Sequence, residues 1–129
     1  MRNQTWARNA ASIALCLFLA GCAHTAKQET ASPAALTEKI TRAVYAGDME
    51  ATVADFDDDL KKEVGRTGIG SLSDTLRKLG EIKTISQRNA DPDKGRYDYD
   101  AAFDHGAMTI QLRLDPSGKV GAYRVVPTR

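Results

Sequence analysis

Cysteine is scarce in this sequence and is confined to its start. The 129-residue chain has two cysteines, Cys16 and Cys22, and none follows Cys22. This excludes an intramolecular disulfide from the rest of the chain, so a fold there depends on packing and hydrogen bonding. Histidine is equally scarce: His24 lies in a polar segment and is interpreted as a solvated residue, and His105 has no second His or nearby Cys that would complete a zinc site. The residue types therefore predict no metal and no cofactor.

Calcium-binding patterns are absent as well. The acidic run Asp55–Asp59 has Leu60 where an EF-hand needs glycine and Arg66 where it needs a bidentate glutamate. The turn at Asp91–Gly95 fails in the same way, because Arg96 stands at the glycine position. We interpret the first run as helix-capping residues and the second as a surface turn.

The chain also lacks a strong net charge. It has 18 Lys and Arg residues against 17 Asp and Glu residues, a formal net charge of +1. Binding of nucleic acid favours a basic surface. The composition therefore argues against a nucleic-acid partner.

The apolar run at the start is too short to span a bilayer. Ala10–Ala20 has 11 residues, whereas a transmembrane helix needs about 20. The basic residues Arg2 and Arg8 precede the run, and the small residues Ala20 and Gly21 close it. This order of charge, apolar segment and small residues is typical of a secretory signal.

Leu19-Ala20-Gly21-Cys22 ends the run and resembles the lipobox of bacterial lipoproteins. The resemblance implies that the Cys22 thiol, a strong nucleophile as thiolate, receives a diacylglyceryl group. It also implies cleavage by a signal peptidase between Gly21 and Cys22. Two or three acyl chains hold a protein at a membrane durably, whereas one does so only marginally. The alternative is an ordinary secretory signal beside a chance cysteine.

The resemblance implies a location in the bacterial cell envelope, with the membrane as a partner through lipid at Cys22. In a Gram-negative cell, Ala23 after the cysteine implies sorting to the outer membrane, facing the periplasm. We therefore divide the chain into a signal peptide (1–21), the lipidated cysteine with a flexible polar tether (22–32) and one domain (33–129). Removal of Arg2 and Arg8 with the signal leaves 16 basic against 17 acidic residues.

The first half of the domain has helical spacing and capping residues. Ser32-Pro33 predicts the start of a helix that ends at Gly47. Asp48 and Asp57 are predicted to cap two further short helices. We expect a loop over Thr67–Gly70, and then a fourth helix that begins at a capping box, Ser71–Asp74, and stops at Gly80.

The second half alternates apolar and polar residues with a period of two, which predicts strands. We expect strands over Glu81–Arg88, Arg96–Asp104, Ala107–Asp115 and Lys119–Val126, with turns between them. A two-residue turn at His105-Gly106 pairs Phe103 with Met108 and Tyr99 with Leu112. It also places Asp98 opposite Arg113, as an ion pair on the solvent side. Helices followed by an antiparallel meander predict an α+β fold, with helices on one face of a four-stranded sheet.

Three segments resemble the nuclear-transport-factor-two-like (cystatin-like) superfamily of cone-shaped domains. They are Val44–Glu50 between the first two helices, Leu79–Lys83 at the entry to the sheet, and Leu114–Val120 at the last hairpin. The resemblance covers about Pro33 to Pro127 and is to small envelope members of undetermined activity. It implies a curved sheet that wraps around a cone, and it assigns no catalytic residue.

The register of the last hairpin leaves one polar site open inside such a cone. A three-residue loop turns Arg124 inward, near Tyr99 and the acidic Asp55 or Asp57, which could hold an anionic ligand. A two-residue loop turns Gly121, Tyr123 and Val125 inward instead and leaves Arg124 in solvent.

The sequence favours a non-enzymatic lipoprotein that binds an envelope protein or a small ligand, because inward positions are mostly apolar. One alternative is a small-molecule enzyme that uses a pocket of Tyr99, Arg124, Asp55 and Asp57. Another is a structural or inhibitory protein that acts through the outer sheet face, where Asp98, Asp100, Gln111 and Arg113 lie.

Overall fold

The computed structural model describes residues 31–129, which form an α+β fold as predicted. The signal segment, the cleavage site at Gly21 and Cys22 and most of the tether lie outside these residues. The helices are α1 (Pro33–Ala46), α2 (Met49–Val53), α3 (Asp58–Glu63) and α4 (Arg66–Lys78). The strands are β1 (Ile82–Asp91), β2 (Arg96–Phe103), β3 (Gly106–Leu114) and β4 (Val120–Pro127). They form one open antiparallel sheet in the order β1-β2-β3-β4.

The predicted caps of the first three helices are present. The Ser32 Oγ accepts a hydrogen bond of 3.2 Å from the Ala35 N–H, and Pro33 opens α1. Asp48 caps α2 and Asp57 caps α3 in the same way, through bonds of 3.0 and 2.8 Å to backbone N–H groups. Each side chain satisfies a donor that the first turn of a helix leaves without a partner.

The predicted loop over Thr67–Gly70 is wrong, because these residues form the start of α4. Ser71–Asp74 lies inside this helix and does not cap it; the N-cap is Gly65, which offers no side-chain hydrogen bond. The helix forms because Ile69 and Leu76 bury its inner face in the core. Tertiary packing therefore outweighs the low helix propensity of the glycines.

The first strand continues to Asp91, beyond its predicted end at Arg88. Two bulges interrupt its pairing with β2, and their extra residues are Lys83 and Arg88. The bulge at Lys83 lets Ile82 and Ile85 both face the core despite their odd spacing. A short 3₁₀ turn, Pro92–Lys94, then leads into β2.

The turn between β2 and β3 is Asp104-His105, one residue earlier than predicted. Phe103 lies opposite Gly106, and Tyr99 opposite Ile110, so the predicted pairs with Met108 and Leu112 are wrong. Asp104 is fixed at this turn because its carboxylate accepts a 2.8 Å hydrogen bond from the Glu81 N–H.

This change displaces the pairing by two residues, so each side chain keeps its predicted face. The ion pair across the strands is lost, however: Asp98 lies opposite Gln111, and Arg113 lies opposite Arg96.

The last hairpin combines features of both predicted registers. Leu114 pairs with Val120, as in the three-residue loop, but Gly121 is then an extra residue in a bulge. Beyond the bulge Arg113 pairs with Ala122, so Tyr123 and Val125 face the core and Arg124 faces away from it.

The core lies between the sheet and the helices α1 and α4. It also holds Phe56, whose segment pairs with β4: the Asp57 N–H donates to the Val120 carbonyl, and the Val120 N–H donates to the Asp55 carbonyl, each at 2.9 Å. The largest fully buried apolar side chains are Tyr99, Phe56, Ile40, Leu76, Ile110, Val44 and Val120. We call the opposite face of the sheet, away from α1 and α4, the outer face.

Candidate functional site

Tyr99, a predicted pocket residue, lies in the core, where 1% of it is exposed. Its neighbours on the sheet are Ala101 and Ile110, both fully buried. The Tyr99 hydroxyl has no hydrogen-bond partner among the described residues. Burial raises the pKa of this phenol, so it is neutral at physiological pH.

The two predicted acidic partners lie on either side of Phe56, and neither faces Tyr99. The Asp55 carboxylate forms an ion pair of 2.6 Å with Lys39 of α1. The Asp57 carboxylate caps α3 and reaches the outer face beside Gly121. Of the four predicted residues, the structure therefore brings together Asp57 and Arg124, on the opposite side of the sheet from Tyr99.

Asp57 and Arg124 line a groove of about 880 Å³ on the outer face. Its floor consists of two rows of residues that run across all four strands. One row is Asn89, Asp98, Gln111 and Arg124; the other is Asp91, Arg96, Arg113 and Ala122. Leu112 and Tyr123 lie between the two rows and border the groove, although their side chains face the core.

Helix α3 forms the wall of the groove through Asp57, Asp59, Leu60 and Glu63. Pairing of the preceding segment with Val120 brings this short helix to the edge of β4. Gly121 permits the close approach: a Cβ there would lie 3.0 Å from the Asp57 Oδ2 and 3.5 Å from the Arg113 Nη2. The bulge glycine thus brings a carboxylate of the wall towards an arginine of the floor.

Some charged residues of the groove form ion pairs and others do not. Asp59 pairs with Lys62 at 3.1 Å, and Asp91 pairs with Lys94 at 3.2 Å. Neither lysine lines the groove. By contrast, Arg96, Arg113 and Arg124 take part in no ion pair with a described residue. Arg113 donates one hydrogen bond of 3.3 Å, to the Gly121 carbonyl. The floor therefore presents three arginines that form no ion pair with a described residue, beside the carboxylates of Asp91 and Asp98.

Charged and amide side chains make up most of the groove lining. Its lining residues include no Ser, Thr, Cys, Lys or His, and its titratable groups are mainly carboxylates and arginines. His105 lies exposed at the β2–β3 turn, away from the groove. Within residues 31–129, no group of three His, Cys, Asp or Glu side chains is arranged to hold a metal ion. No helix in this part of the chain is long and apolar enough to cross a membrane.

The sequence indicated part of this surface and missed part of it. Asp98, Gln111 and Arg113 were predicted on the outer face and line the groove, whereas Asp100 lies beside it, bonded to Thr109 at 2.9 Å. Arg96 and the wall residues Asp59, Leu60 and Glu63 were missed. The signal for Arg96 was its alternation with Asp98, which places both side chains on one face.

Comparison of the chain with protein-family models, with curated proteins and with solved structures found no match.

Proposed function

We propose that this chain is a lipid-anchored lipoprotein of the bacterial cell envelope whose domain binds a partner or ligand without catalysis. The observation that carries the binding role is the groove between α3 and the outer face of the sheet. It is polar and has a wall and a floor, and its lining residues include no Ser, Cys, Lys or His.

The anchoring role is supported by Leu19-Ala20-Gly21-Cys22 and by the polar segment that separates it from α1. In a Gram-negative cell the protein would face the periplasm from the outer membrane. Acyl chains on Cys22 would keep the domain within a tether length of the membrane surface. The groove would then meet partners or ligands that are themselves part of the envelope.

We further propose a relationship to the nuclear-transport-factor-two-like domains. The three resembling segments coincide with structural junctions: the α1–α2 connection, the start of β1 and the β3–β4 turn. The helices also cover one face of a sheet of the expected strand order. In this proposal the cone-facing side is a packed core, and the outer face binds.

The anchor is tested by metabolic labelling with an alkyne analogue of palmitate. We expect wild-type protein to incorporate the label and to fractionate with membranes. Cys22→Ala is expected to remove both properties, because the acylated thiol is gone. Cys16→Ala is the control and should be labelled like wild type, since Cys16 lies in the signal. Equal labelling of the Cys22→Ala variant contradicts the proposal.

The binding surface is tested by photocrosslinking in cells. A benzophenone amino acid at Gln111, on the groove floor, is expected to give a discrete adduct. The same group at Asp74, exposed on α4 on the other side of the sheet, is the control. The Gln111 adduct should disappear when Arg113→Glu is added. An adduct from Asp74 alone would place the binding surface elsewhere.

A further inference from the structure

We infer that Arg96, Arg113 and Arg124 form a subsite for an oxyanion, a phosphate or carboxylate group of the ligand. This inference rests on the proposed function, since it names the ligand chemistry of the same groove. Strand register places these arginines near one another on the sheet. Arg96 lies directly opposite Arg113 on the outer face. Arg124 is on the next strand, diagonal to Arg113, which pairs with Ala122.

Sheet geometry brings the three side chains within reach of one ligand. Directly opposed residues have Cβ atoms about 5 Å apart, and diagonal neighbours about 7–8 Å. An extended arginine side chain spans such distances, and all three arginines are exposed enough to reorient. Their guanidinium groups can therefore converge on a single oxyanion above the floor.

The arrangement is unfavourable without such a ligand. Like charges directly opposite each other on a sheet destabilise it, as Arg96 and Arg113 do here, although Asp91 lies opposite Arg96 on its other side. Here none of the three arginines forms an ion pair with a described residue, although five carboxylates line the same groove.

Three of these carboxylates are engaged elsewhere. Asp59 pairs with Lys62, Asp91 pairs with Lys94, and Asp57 caps α3. The other two, Asp98 on the floor and Glu63 on the wall, also form no ion pair with the arginines, so the three guanidinium groups remain open to an external anion.

Guanidinium chemistry determines the class of ligand. The planar fork of arginine donates two parallel hydrogen bonds to a phosphate or a carboxylate, and it stays charged at any physiological pH. The carboxylates of Asp57 and Glu63 on the wall repel further negative charge. The subsite therefore favours a ligand with one compact anionic group over a polyanion.

The test is a titration of the full chain in detergent micelles, followed by NMR of the arginine Nε–Hε groups. The probes are inorganic phosphate, glycerol 3-phosphate as the headgroup of an anionic lipid, and succinate. We expect the resonances of Arg96, Arg113 and Arg124 to shift with millimolar affinity. A response to both phosphates alone assigns a phosphate ligand, a stronger response to the glycerol ester assigns a lipid headgroup, and a response to succinate assigns a carboxylate.

Matched variants show whether the arginines carry the binding. Arg113→Gln is expected to weaken binding roughly tenfold, the ratio that corresponds to about 1.4 kcal/mol. Arg113→Lys keeps the charge but not the fork and should lie between this variant and wild type. Arg42→Gln is the control, because Arg42 lies on α1 and pairs with Glu38 at 3.0 Å. Urea unfolding of each variant shows that the fold is retained.

The results separate this inference from the proposed function. If no probe shifts the arginine resonances while the Gln111 adduct still forms, the oxyanion subsite is wrong and the groove remains a binding surface. If the Arg42→Gln variant loses affinity as much as Arg113→Gln, binding is non-specific and the subsite is also wrong. If the arginines bind a probe but Gln111 gives no adduct, the subsite stands and the partner-protein form of the proposed function fails.

Discussion

Two core-facing phenols of the sheet differ in their hydrogen bonding. The Tyr123 hydroxyl and the Thr41 Oγ1 share a hydrogen bond of 2.7 Å, which ties β4 to α1. The Tyr99 hydroxyl, on β2, has no partner within the described part of the chain. A buried hydroxyl without a hydrogen bond lowers stability by about 1–3 kcal/mol. Tyr99 therefore contributes packing through its ring and a penalty through its oxygen.

We predict that Tyr99→Phe raises the free energy of unfolding by about 1 kcal/mol, because the ring stays and the unpaired oxygen goes. Tyr123→Phe is the matched control and should lower it by about the same amount, since Thr41 then loses its partner. Urea unfolding, followed by circular dichroism, measures both. Equal destabilisation by the two substitutions would show that the Tyr99 hydroxyl has a partner in solution.

Asp104 links the β2–β3 turn to the start of β1. Its carboxylate pairs with Lys83 at 2.9 Å and accepts the Glu81 N–H. The hydrogen bond from Lys83, with help from the Glu81 N–H, holds the pKa of Asp104 below its usual value of 3.8. The folded chain therefore binds fewer protons here than the unfolded chain, and the stabilisation is lost as the pH falls below 3.8 through the lower folded-state pKa.

We predict that Asp104→Asn lowers the urea midpoint near neutral pH and that this difference shrinks as the pH falls below 3.8 through the lower folded-state pKa. The reason is that the wild-type carboxylate becomes neutral there as well. Asp74→Asn is the control, because Asp74 is exposed on α4 and forms no ion pair with the described residues. A difference that is constant with pH would contradict the role of charge.

Among the elements, α4 shows packing that overrides propensity. Its first half contains Gly68 and Gly70, which disfavour a helix, and its N-cap glycine makes no side-chain bond. The space around both glycines is open, since a Cβ atom at either position would have no neighbour from outside the helix within 4 Å. The helix persists because Ile69 and Leu76 are buried against the core.

We predict that Gly68→Ala and Gly70→Ala each stabilise the fold by about 0.8–1 kcal/mol, because alanine loses less backbone entropy in a helix. Gly47→Ala is the opposite control: Gly47 ends α1 with a φ of 73°, where a side chain is strained. Thermal melts of the three variants check the signs. Destabilisation by both α4 substitutions would indicate that this turn of the helix is not formed in solution.

The elements also show what a single sequence can predict. Capping residues such as Ser32, Asp48 and Asp57 act through local bonds, so their helices were predicted correctly. The start of α4 depends on tertiary contacts of Ile69, which a local pattern does not contain. The end of β1 was missed because bulges at Lys83 and Arg88 break the alternation that identifies strands.

In the candidate site, too, the features set by local sequence were predicted and those set by tertiary contacts were not. Alternation along β2 and β3 predicted the outer-face positions of Asp98, Gln111 and Arg113. The wall escaped prediction because α3 reaches the groove only through the pairing of Phe56 with Val120. That contact joins residues far apart in the sequence, and no local sequence pattern predicts it.

At the scale of the whole molecule, the chain is nearly neutral, but its charges are unevenly distributed over the surface. The sequence holds 18 basic and 17 acidic residues, yet the groove floor concentrates three arginines that form no ion pair with a described residue, and the wall beside it is acidic. Local concentration of one sign creates a field that acts on ligands even where the net charge is small.

We predict that Arg96 and Arg113 repel each other in the unliganded protein. A double-mutant cycle with Arg96→Gln and Arg113→Gln should give a repulsive coupling of about 0.2–1 kcal/mol at low salt. The coupling should fade in high salt, because the Debye length falls to about 3 Å at 1 M. The same cycle for Arg42 and Glu38 should give an attractive coupling of about 0.3–0.5 kcal/mol, as expected for an exposed helical pair. A coupling of zero at all salt concentrations would mean that the two side chains point apart.

The bulge at Gly121 has a consequence for how this protein can vary. The single extra residue changes the phase of β4, so that Val120 and Tyr123 both face the core while Arg124 faces the groove. Loss of one residue here would exchange the faces of everything that follows: Arg124 would enter the hydrocarbon interior, and Tyr123 would leave it. A change in the length of this hairpin therefore alters the core and the groove at the same time. An insertion or deletion in this hairpin retains the fold only if the same β4 side chains still face the core.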